Sequence, residues 1–158
     1  MTEIVQVYDP NCVTETAVYF YTPRYYAFDS FSAFAVELWD KVFPTAEHAY
    51  QWKKFNFSES STAELIFAAR SARDTKVVAD LHKDEVSPEW DKVKLSIMEE
   101  ILRAKLIQHE KVGALLLETV GKDIIENSPT DSFWGIGENG TGENHLGKLW
   151  MKLRTELE

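Results

Sequence analysis

The chain has 158 residues, 44% of them hydrophobic and 13% aromatic, which is too apolar a composition for a disordered polypeptide. Asp and Glu outnumber Lys and Arg by 26 to 17, and the net charge of -9 disfavours broad binding to nucleic acid or to an anionic membrane, because both need a basic surface. The length predicts one domain over residues 1–158 with a core of its own.

The first residues and the cysteine content bear on the compartment. Cys12 is the one cysteine, so no internal disulfide can form, as is usual in a reducing compartment. The start Met1-Thr2-Glu3-Ile4 lacks the basic and apolar regions of a signal peptide, and no apolar run approaches the ~20 residues of a membrane span. We therefore expect a cytoplasmic protein without membrane contact.

The predicted elements are mostly helical. Runs of β-branched and aromatic residues predict short strands at 18–21, 35–38 and 123–126. Pro44-Thr45 opens a helix to about residue 55, and Ser61 with Glu64 forms a capping-box pattern for a helix over 62–70. Ser87-Pro88 predicts a cap residue followed by a proline at the first position of the strongest helical pattern, and two further helices are predicted at 111–120 and 146–157. The apolar stripe of that strongest helix is Trp90, Val93, Ile97, Ile101 and Leu102.

Residues 127–144 form a long glycine-rich stretch without periodicity, of the kind that is often functional. Its Gly135–Gly140 segment matches a dinucleotide fingerprint, but Pro129 and polar turn residues precede it where a core strand is required. The phosphate-loop and EF-hand patterns fail at Leu149 and at Phe133, and the four histidines lack metal-ligand spacing. We expect neither a metal nor a cofactor.

Two groups of residues remain as candidates for a site. Glu47, Gln51 and Lys54 share one face of the helix 45–55, although a solvated face is the commoner explanation of such a pattern in isolation. In the glycine-rich stretch, Asp131 lies next to Phe133 and Trp134, whose rings need either the core or a flat ligand as a partner. The stretch is predicted to close over the bound ligand as a cover, with Asp131 and Trp134 as its contacting residues, and a rigid wall is the alternative.

Three separated blocks of this sequence resemble the NADAR family, and within it the YbiA-like N-glycosidases. The first block is Phe43-Pro44-Thr45-Ala46-Glu47-His48-Ala49-Tyr50-Gln51-Trp52-Lys53-Lys54-Phe55; the middle helix contributes Trp90, Lys94, Met98, Lys105 and Gln108; the last block is Asp131-Ser132-Phe133-Trp134-Gly135-Ile136-Gly137 with Gly140, Gly142, Asn144, Leu146-Gly147, Met151 and Arg154. The chain departs from the family at Phe28-Asp29-Ser30-Phe31, where Phe-Ser-Asn-Phe is frequent, at Ala72 before Arg73, and at Trp150.

The resemblance implies a compact, mainly helical α+β fold. The activity it implies is hydrolysis of the ribose C1–N bond in phosphorylated ribosylamino-pyrimidine intermediates of riboflavin biosynthesis. Other members of the family remove ADP-ribose from guanine bases of nucleic acid, and that activity remains an alternative, disfavoured by the acidic surface. A catalytically silent module that binds nucleotides or ADP-ribose is the second alternative. The expected partner is a small phosphorylated ribosyl substrate, with nucleic acid only as an ADP-ribosylated substrate.

The chemistry of this bond suggests a role for each candidate. Cleavage develops positive charge at C1, which Glu47 would stabilise while activating water, and Asp131 would protonate the leaving nitrogen or hold ribose hydroxyls. Lys54 would either pair with an anion or attack C1 as a Schiff-base nucleophile. The remaining candidates would bind the substrate, with Trp90 and Trp134 around the flat base and Arg73 on the phosphate, for which Arg24 is the second candidate. These substrate-binding residues are Phe31, Gln51, Arg73, Trp90, Trp134, Gly135 and Asn144.

Overall fold

The computed structural model describes residues 12–21, 24–56 and 61–158. Within these residues the fold is mainly helical α+β with a few short strands, which confirms the predicted class. The strands are β1 (Ala17–Phe20), β2 (Val36–Leu38), β3 (Lys41–Phe43) and β4 (Asp123–Glu126); the helices are α1 (Ala46–Phe55), α2 (Thr62–Phe67), α3 (Ala72–Leu81), α4 (Trp90–Gln108), α5 (Glu110–Glu118) and α6 (His145–Leu157).

One of two compact units of the chain joins the residues up to Asp29 with Glu110–Glu158. Its strands β1 and β4 pair in parallel, with Val18 opposite Ile124, and α6 packs against β4. Trp150 of α6 is fully buried, contacts the Phe28 ring and donates its indole N–H to the Phe28 carbonyl at 2.9 Å. Burial of this large ring with its polar atom satisfied ties the C-terminal helix to the N-terminal segment.

The other unit comprises Ser30–His109 and contains the antiparallel β2–β3 hairpin and helices α1 to α4. A buried apolar cluster of Phe55, Ala63, Ile66 and Ala79 joins α1, α2 and α3. On α4, Met98, Ile101 and Leu102 are buried as well. The prediction of a single domain from chain length remains a prediction.

The predicted strands at 18–21, 35–38 and 123–126 are present to within a residue, and the predicted helices are present with shifted ends. Strand β3 and helix α3 were not predicted from the sequence. The turn before β3 uses Trp39 and Asp40 at φ 53° and 60°, and it lacks the Asn-Gly or Asp-Gly pair that signals such turns. Helix α3 begins after Ser71, whose hydroxyl accepts the Asp74 amide at 3.1 Å, a cap that the sequence does contain.

Three local predictions were wrong. The Ser61 side chain makes no capping hydrogen bond, and α2 ends at Phe67 rather than near residue 70. Ser87 is not the N-cap of α4: its hydroxyl accepts the Glu89 amide in the turn before the helix, whose N-cap is Glu89 and which begins at Trp90. Val93, expected in the buried stripe, is 41% exposed, because that side of α4 faces a cavity instead of a packed partner.

No helix in the described part of the chain is both long and apolar enough to cross a membrane.

Candidate functional site

The start of α1 is fixed by side chains around Thr45. The Thr45 hydroxyl accepts the His48 amide at 3.1 Å, as expected of a helix N-cap, and lies 2.8 Å from His48 Nδ1. His48 Nε2 lies 3.0 Å from the Ala69 carbonyl oxygen, which can only accept, so Nε2 carries a proton. His48 therefore has a structural role, holding the helix start against the segment after α2.

Glu47, the next residue toward the helix start, has a buried carboxylate with a donor on each oxygen. Ser30 Oγ donates to Oε2 at 2.9 Å, and Gln51 Nε2 donates to Oε1 at 2.7 Å. The Glu47 amide also donates to the Ser30 carbonyl at 2.9 Å. The side chain is only 6% exposed, so these bonds hold the carboxylate in one orientation inside the protein.

Gln51 confirms the predicted helical spacing by bonding Glu47 one turn away. Its side chain is 5% exposed, and Oε1 is buried with no hydrogen-bond partner among the described residues. A buried amide oxygen in this state can accept a hydroxyl or amine proton from a ligand.

Lys54 is half-buried on the same helix face, and burial lowers the pKa of its ammonium. The charges of Glu47 and Asp80 raise that pKa, whereas Lys94 and Lys76 lower it further. The net lowering makes the neutral amine more accessible than in an ordinary lysine. A neutral amine is the form required of a nucleophile.

Trp90 begins α4, is 5% exposed and packs on Tyr50 of α1, with ring centroids 5.2 Å apart. Lys54 Nζ lies 5.9 Å from the centroid of the same Tyr50 ring. Lys54 and Trp90, which were predicted as site residues on different grounds, therefore both lie beside the Tyr50 ring.

A cavity of about 310 Å³ lies beside Trp90 in the same unit. Val93 and Ile97 of α4 line it, and Glu47, Gln51 and Lys54 are not among its lining residues. The apolar stripe predicted for α4 is thus partly a cavity wall. The remaining lining residues are Lys53, Asn56, Ser87 and Glu89.

Phe31 and the two arginines occupy different surroundings. Phe31 is half-buried and follows Ser30, the partner of Glu47. Arg73 is exposed in the first turn of α3. Arg24, in the other unit, is exposed and pairs with Glu118 at 3.6 Å, so its described partner is a surface carboxylate. Their roles toward a phosphate remain predictions.

In the unit that contains α6, Asp131 shapes the glycine-rich stretch. Its Oδ1 accepts the amides of Phe133 at 3.0 Å and Trp134 at 2.8 Å, and its own amide donates to Ser128 Oγ at 3.0 Å. Phe133 packs edge-on against Trp134 and also contacts His145. Both of these rings are half-buried, so each keeps part of its surface exposed to solvent.

Gly135 and Asn144 hold the same stretch on β4. A Cβ at Gly135 would lie 2.8 Å from the Glu126 carbonyl oxygen, so only glycine fits there without movement. Asn144, at φ 52°, donates Nδ2 to the Ile124 carbonyl and accepts the Glu126 amide on Oδ1, both at 2.9 Å. These contacts give both residues a structural function, and binding of substrate by them remains a prediction.

Two supports of the α1 site were not predicted from the sequence: the Ser30 contact with Glu47, and the contact of Thr45 with the His48 ring. Thr45 was recognisable as a cap residue before the helix, but the partner of Glu47 lies 17 residues earlier and follows no local spacing. Among the described residues, no group of three or more His, Cys, Asp or Glu could hold a metal ion.

Comparison with known proteins agrees with the resemblance. The NADAR domain family model matches residues 19–158. An N-glycosidase of Nostoc punctiforme is 37% identical over 143 residues, which cover 89% of this chain and 92% of that protein. N-glycosidase YbiA of Escherichia coli is 35% identical over 152 residues, covering 93% and 92% of the two chains.

A solved structure extends this likeness to the fold. The NMR structure of Escherichia coli YbiA superimposes with a TM-score of 0.78 at 34% identity, covering 92% of this chain and 86% of that one. A more distant relative is the riboflavin biosynthesis protein PYRR of Zea mays, 30% identical over 83% of this chain but only 23% of that longer protein. The chain therefore belongs to the NADAR domain family and is an N-glycosidase.

Proposed function

We propose that this N-glycosidase hydrolyses the bond between ribose C1 and the exocyclic nitrogen of a ribosylamino-pyrimidine 5′-phosphate, an intermediate of riboflavin biosynthesis. The observation that carries the proposal is the buried Glu47 carboxylate, held by Ser30 and Gln51 on the same helix face as Lys54. A relative named for riboflavin biosynthesis supports the choice of substrate. The net charge of -9 also suits a small metabolite better than a nucleic acid.

Glu47 acts on the sugar in this proposal. In the ring-opened ribosylamine the C1–N group is a protonated imine, and an adjacent fixed carboxylate stabilises its positive charge while the nucleophile adds to C1. The donors on both oxygens hold the Glu47 carboxylate in one orientation, as this role requires. Gln51 Oε1 supplies an acceptor for a ribose hydroxyl beside it.

Lys54 acts as the nucleophile. A ribosylamine opens to an imine at C1, and the neutral Lys54 amine adds to that carbon and expels the pyrimidine amine, which takes up the proton. Water then hydrolyses the lysine imine, so the products are the aminopyrimidine and ribose 5-phosphate. The lowered pKa of Lys54 supports this route, because the amine attacks only when it is unprotonated.

Asp131 and Trp134 would act on the leaving group. Asp131 is the second carboxyl group, and it would pass the proton that the lysine amine loses to the leaving nitrogen; Trp134 has a half-buried ring that can stack on a pyrimidine. Trp90 would serve as the second aromatic surface for the base.

The test is a paired assay with two substrates. The purified protein is incubated with the ribosylamino-pyrimidine 5′-phosphate and, separately, with an oligonucleotide carrying ADP-ribosylated guanine, and release of ribose 5-phosphate or ADP-ribose is measured. We expect ribose 5-phosphate from the first substrate and at least about tenfold lower kcat/KM on the second. Turnover of the oligonucleotide alone would replace the proposal with the ADP-ribose activity, and binding without turnover of either would indicate a silent module.

A further inference from the structure

Lys105, on the C-terminal half of α4, is a charged residue that the proposed chemistry does not use. Its side chain is fully buried, Nζ donates to Ser32 Oγ at 2.8 Å, and Nζ lies 5.2 Å from the centroid of the Phe34 ring. An ammonium in the interior is costly unless it is bonded, and an apolar residue would fill the same space at lower cost. The hydrogen bond to Ser32 therefore has a function other than filling space.

Ser32 belongs to the segment that holds Glu47. Two residues earlier, Ser30 contacts Glu47 twice, with its carbonyl on the Glu47 amide and its hydroxyl on Oε2, each at 2.9 Å. Two residues span at most roughly 7 Å of chain, so an anchor at Ser32 limits where Ser30 can lie. The Ser32 carbonyl also accepts the Phe34 amide at 2.8 Å, which closes a turn beside the anchor.

We propose that Lys105 is a positioning residue for Glu47, acting through Ser32 and Ser30 to keep the serine hydroxyl on the carboxylate. The inference rests on the proposed function only for the importance of Glu47 in turnover. The positioning itself is a property of the free protein, and it can be measured without substrate.

Gln108 provides a matched control on the same helix. It also holds this part of the chain to α4, with Oε1 accepting the Glu37 amide at 2.8 Å and Nε2 donating to the Glu37 carbonyl at 2.7 Å. These bonds are exposed, and Glu37 lies seven residues after Ser30 in the chain. Loss of Gln108 therefore loosens the segment without releasing the serine that contacts Glu47.

Other charges near Glu47 are the same in both variants. Lys54 is its charged neighbour on α1, and the groups that act on Lys54 are Asp80 and Lys76 of α3 and Lys94 of α4. A difference between the Lys105 and Gln108 variants in the titration of Glu47 therefore comes from the Lys105 contact.

The experiment measures the pKa of Glu47 by NMR of its side-chain carboxyl carbon, assigned with Glu47→Gln, together with kcat and KM. In Lys105→Met, we expect the pKa of Glu47 to rise, because the carboxylate loses the Ser30 hydroxyl that stabilises its ionised form. We expect kcat to fall about ten- to a hundredfold with KM little changed, as for a displaced catalytic group. Gln108→Ala should leave the Glu47 pKa and kcat at wild-type values.

A folded Lys105→Met protein with the wild-type Glu47 pKa overturns the inference, whatever its activity. If Lys105→Met does not fold, Ser32→Ala decides in the same way, because it removes only the hydroxyl that Lys105 bonds. If the wild-type protein turns over neither substrate, the proposed function fails, while the carboxyl titration still tests the positioning.

Discussion

Helix α1 and the stretch 127–144 both contain predicted site residues, but different bonds hold them in place. On α1, the Glu47 carboxylate is fixed by side-chain donors from Ser30 and Gln51. In the stretch, consecutive backbone amides from Gly142 to Leu146 donate to carbonyls between Ser132 and Ile136, at 2.7–3.1 Å. In a helix the backbone groups bond to one another, so the side chains are available to hydrogen-bond the Glu47 carboxylate. In an irregular segment the backbone groups need other partners before the segment has a fixed shape.

This difference predicts how the two regions respond to substitution. Replacing one side chain on α1 removes a functional group from an intact helix. Replacing Asp131, whose Oδ1 accepts two backbone amides, removes bonds that hold the backbone conformation of the stretch. The first kind of change should alter rate with little loss of stability, and the second should alter both.

The largest effect on turnover is expected for Glu47→Gln, which keeps the shape of the side chain but removes its charge. We expect turnover to fall at least about a hundredfold, corresponding to ~2.7 kcal/mol of barrier, because the charge developing on the sugar loses its counter-charge. Steady-state kinetics and a thermal melt measure the two quantities. Glu64→Gln, at an exposed position on α2, is the control and should keep wild-type turnover. A Glu47→Gln protein with more than a tenth of the wild-type rate would contradict the proposed role.

Lys54→Met should come next, with about a hundredfold loss of turnover if the amine is the nucleophile. In the wild type, the rate of the amine step should rise with pH and level off near the pKa of Lys54, which lies below its ordinary value of 10.5. The sign follows because deprotonation creates the attacking form.

Borohydride added during turnover should reduce the imine and attach the sugar phosphate to Lys54, which peptide mass spectrometry detects. Lys92→Met, which removes an exposed lysine of α4, should leave trapping and rate unchanged. Normal turnover by Lys54→Met, without trapping in the wild type, would leave direct attack of water as the mechanism.

Trp90→Ala tests whether a predicted substrate-binding residue that packs on α1 also stabilises the fold. Truncation of a buried Trp costs roughly 3–5 kcal/mol, so the midpoint of urea denaturation should drop clearly. KM should rise if Trp90 contacts the base. Trp90→Phe keeps an aromatic ring against Tyr50 and should recover most of the stability. An unchanged midpoint in Trp90→Ala would show that the ring adds little to the core.

The sequence was informative about α1 because helical spacing is a local rule. Glu47, Gln51 and Lys54 could be placed on one face from their numbers alone, and the Gln51–Glu47 hydrogen bond agrees with that placement. Ser30 and Lys105 could not be found in this way, since their contacts join residues that are distant in the chain. Tertiary packing decides such contacts, and no periodicity in the sequence records it.

The stretch 127–144 was predictable only as a functional irregular segment. Its glycines suggested ease of bending, which left open whether it is a moving cover or a rigid wall. In the structure, two of these glycines lie where backbone segments come close together. Gly135 meets the backbone of β4 too closely for a side chain, and the Gly142 amide bonds the Ile136 carbonyl. Both glycines allow close approach of backbone segments, which favours the wall.

The smallest effect is expected for Asp131, where substitutions can separate its hydrogen bonds to the Phe133 and Trp134 amides from a chemical role of its carboxyl group. Asp131→Ala removes the acceptor for the Phe133 and Trp134 amides, so stability should fall by about 1–3 kcal/mol and hydrogen exchange at 132–136 should accelerate. Asp131→Asn keeps an acceptor oxygen and should preserve both stability and protection. If Asp131→Asn nevertheless loses turnover, the carboxyl acts chemically on the leaving nitrogen; if it keeps turnover, Asp131 acts only as a frame. In the wild type, these amides should already be protected without ligand, and protection that appears only with a product analogue would restore the moving cover.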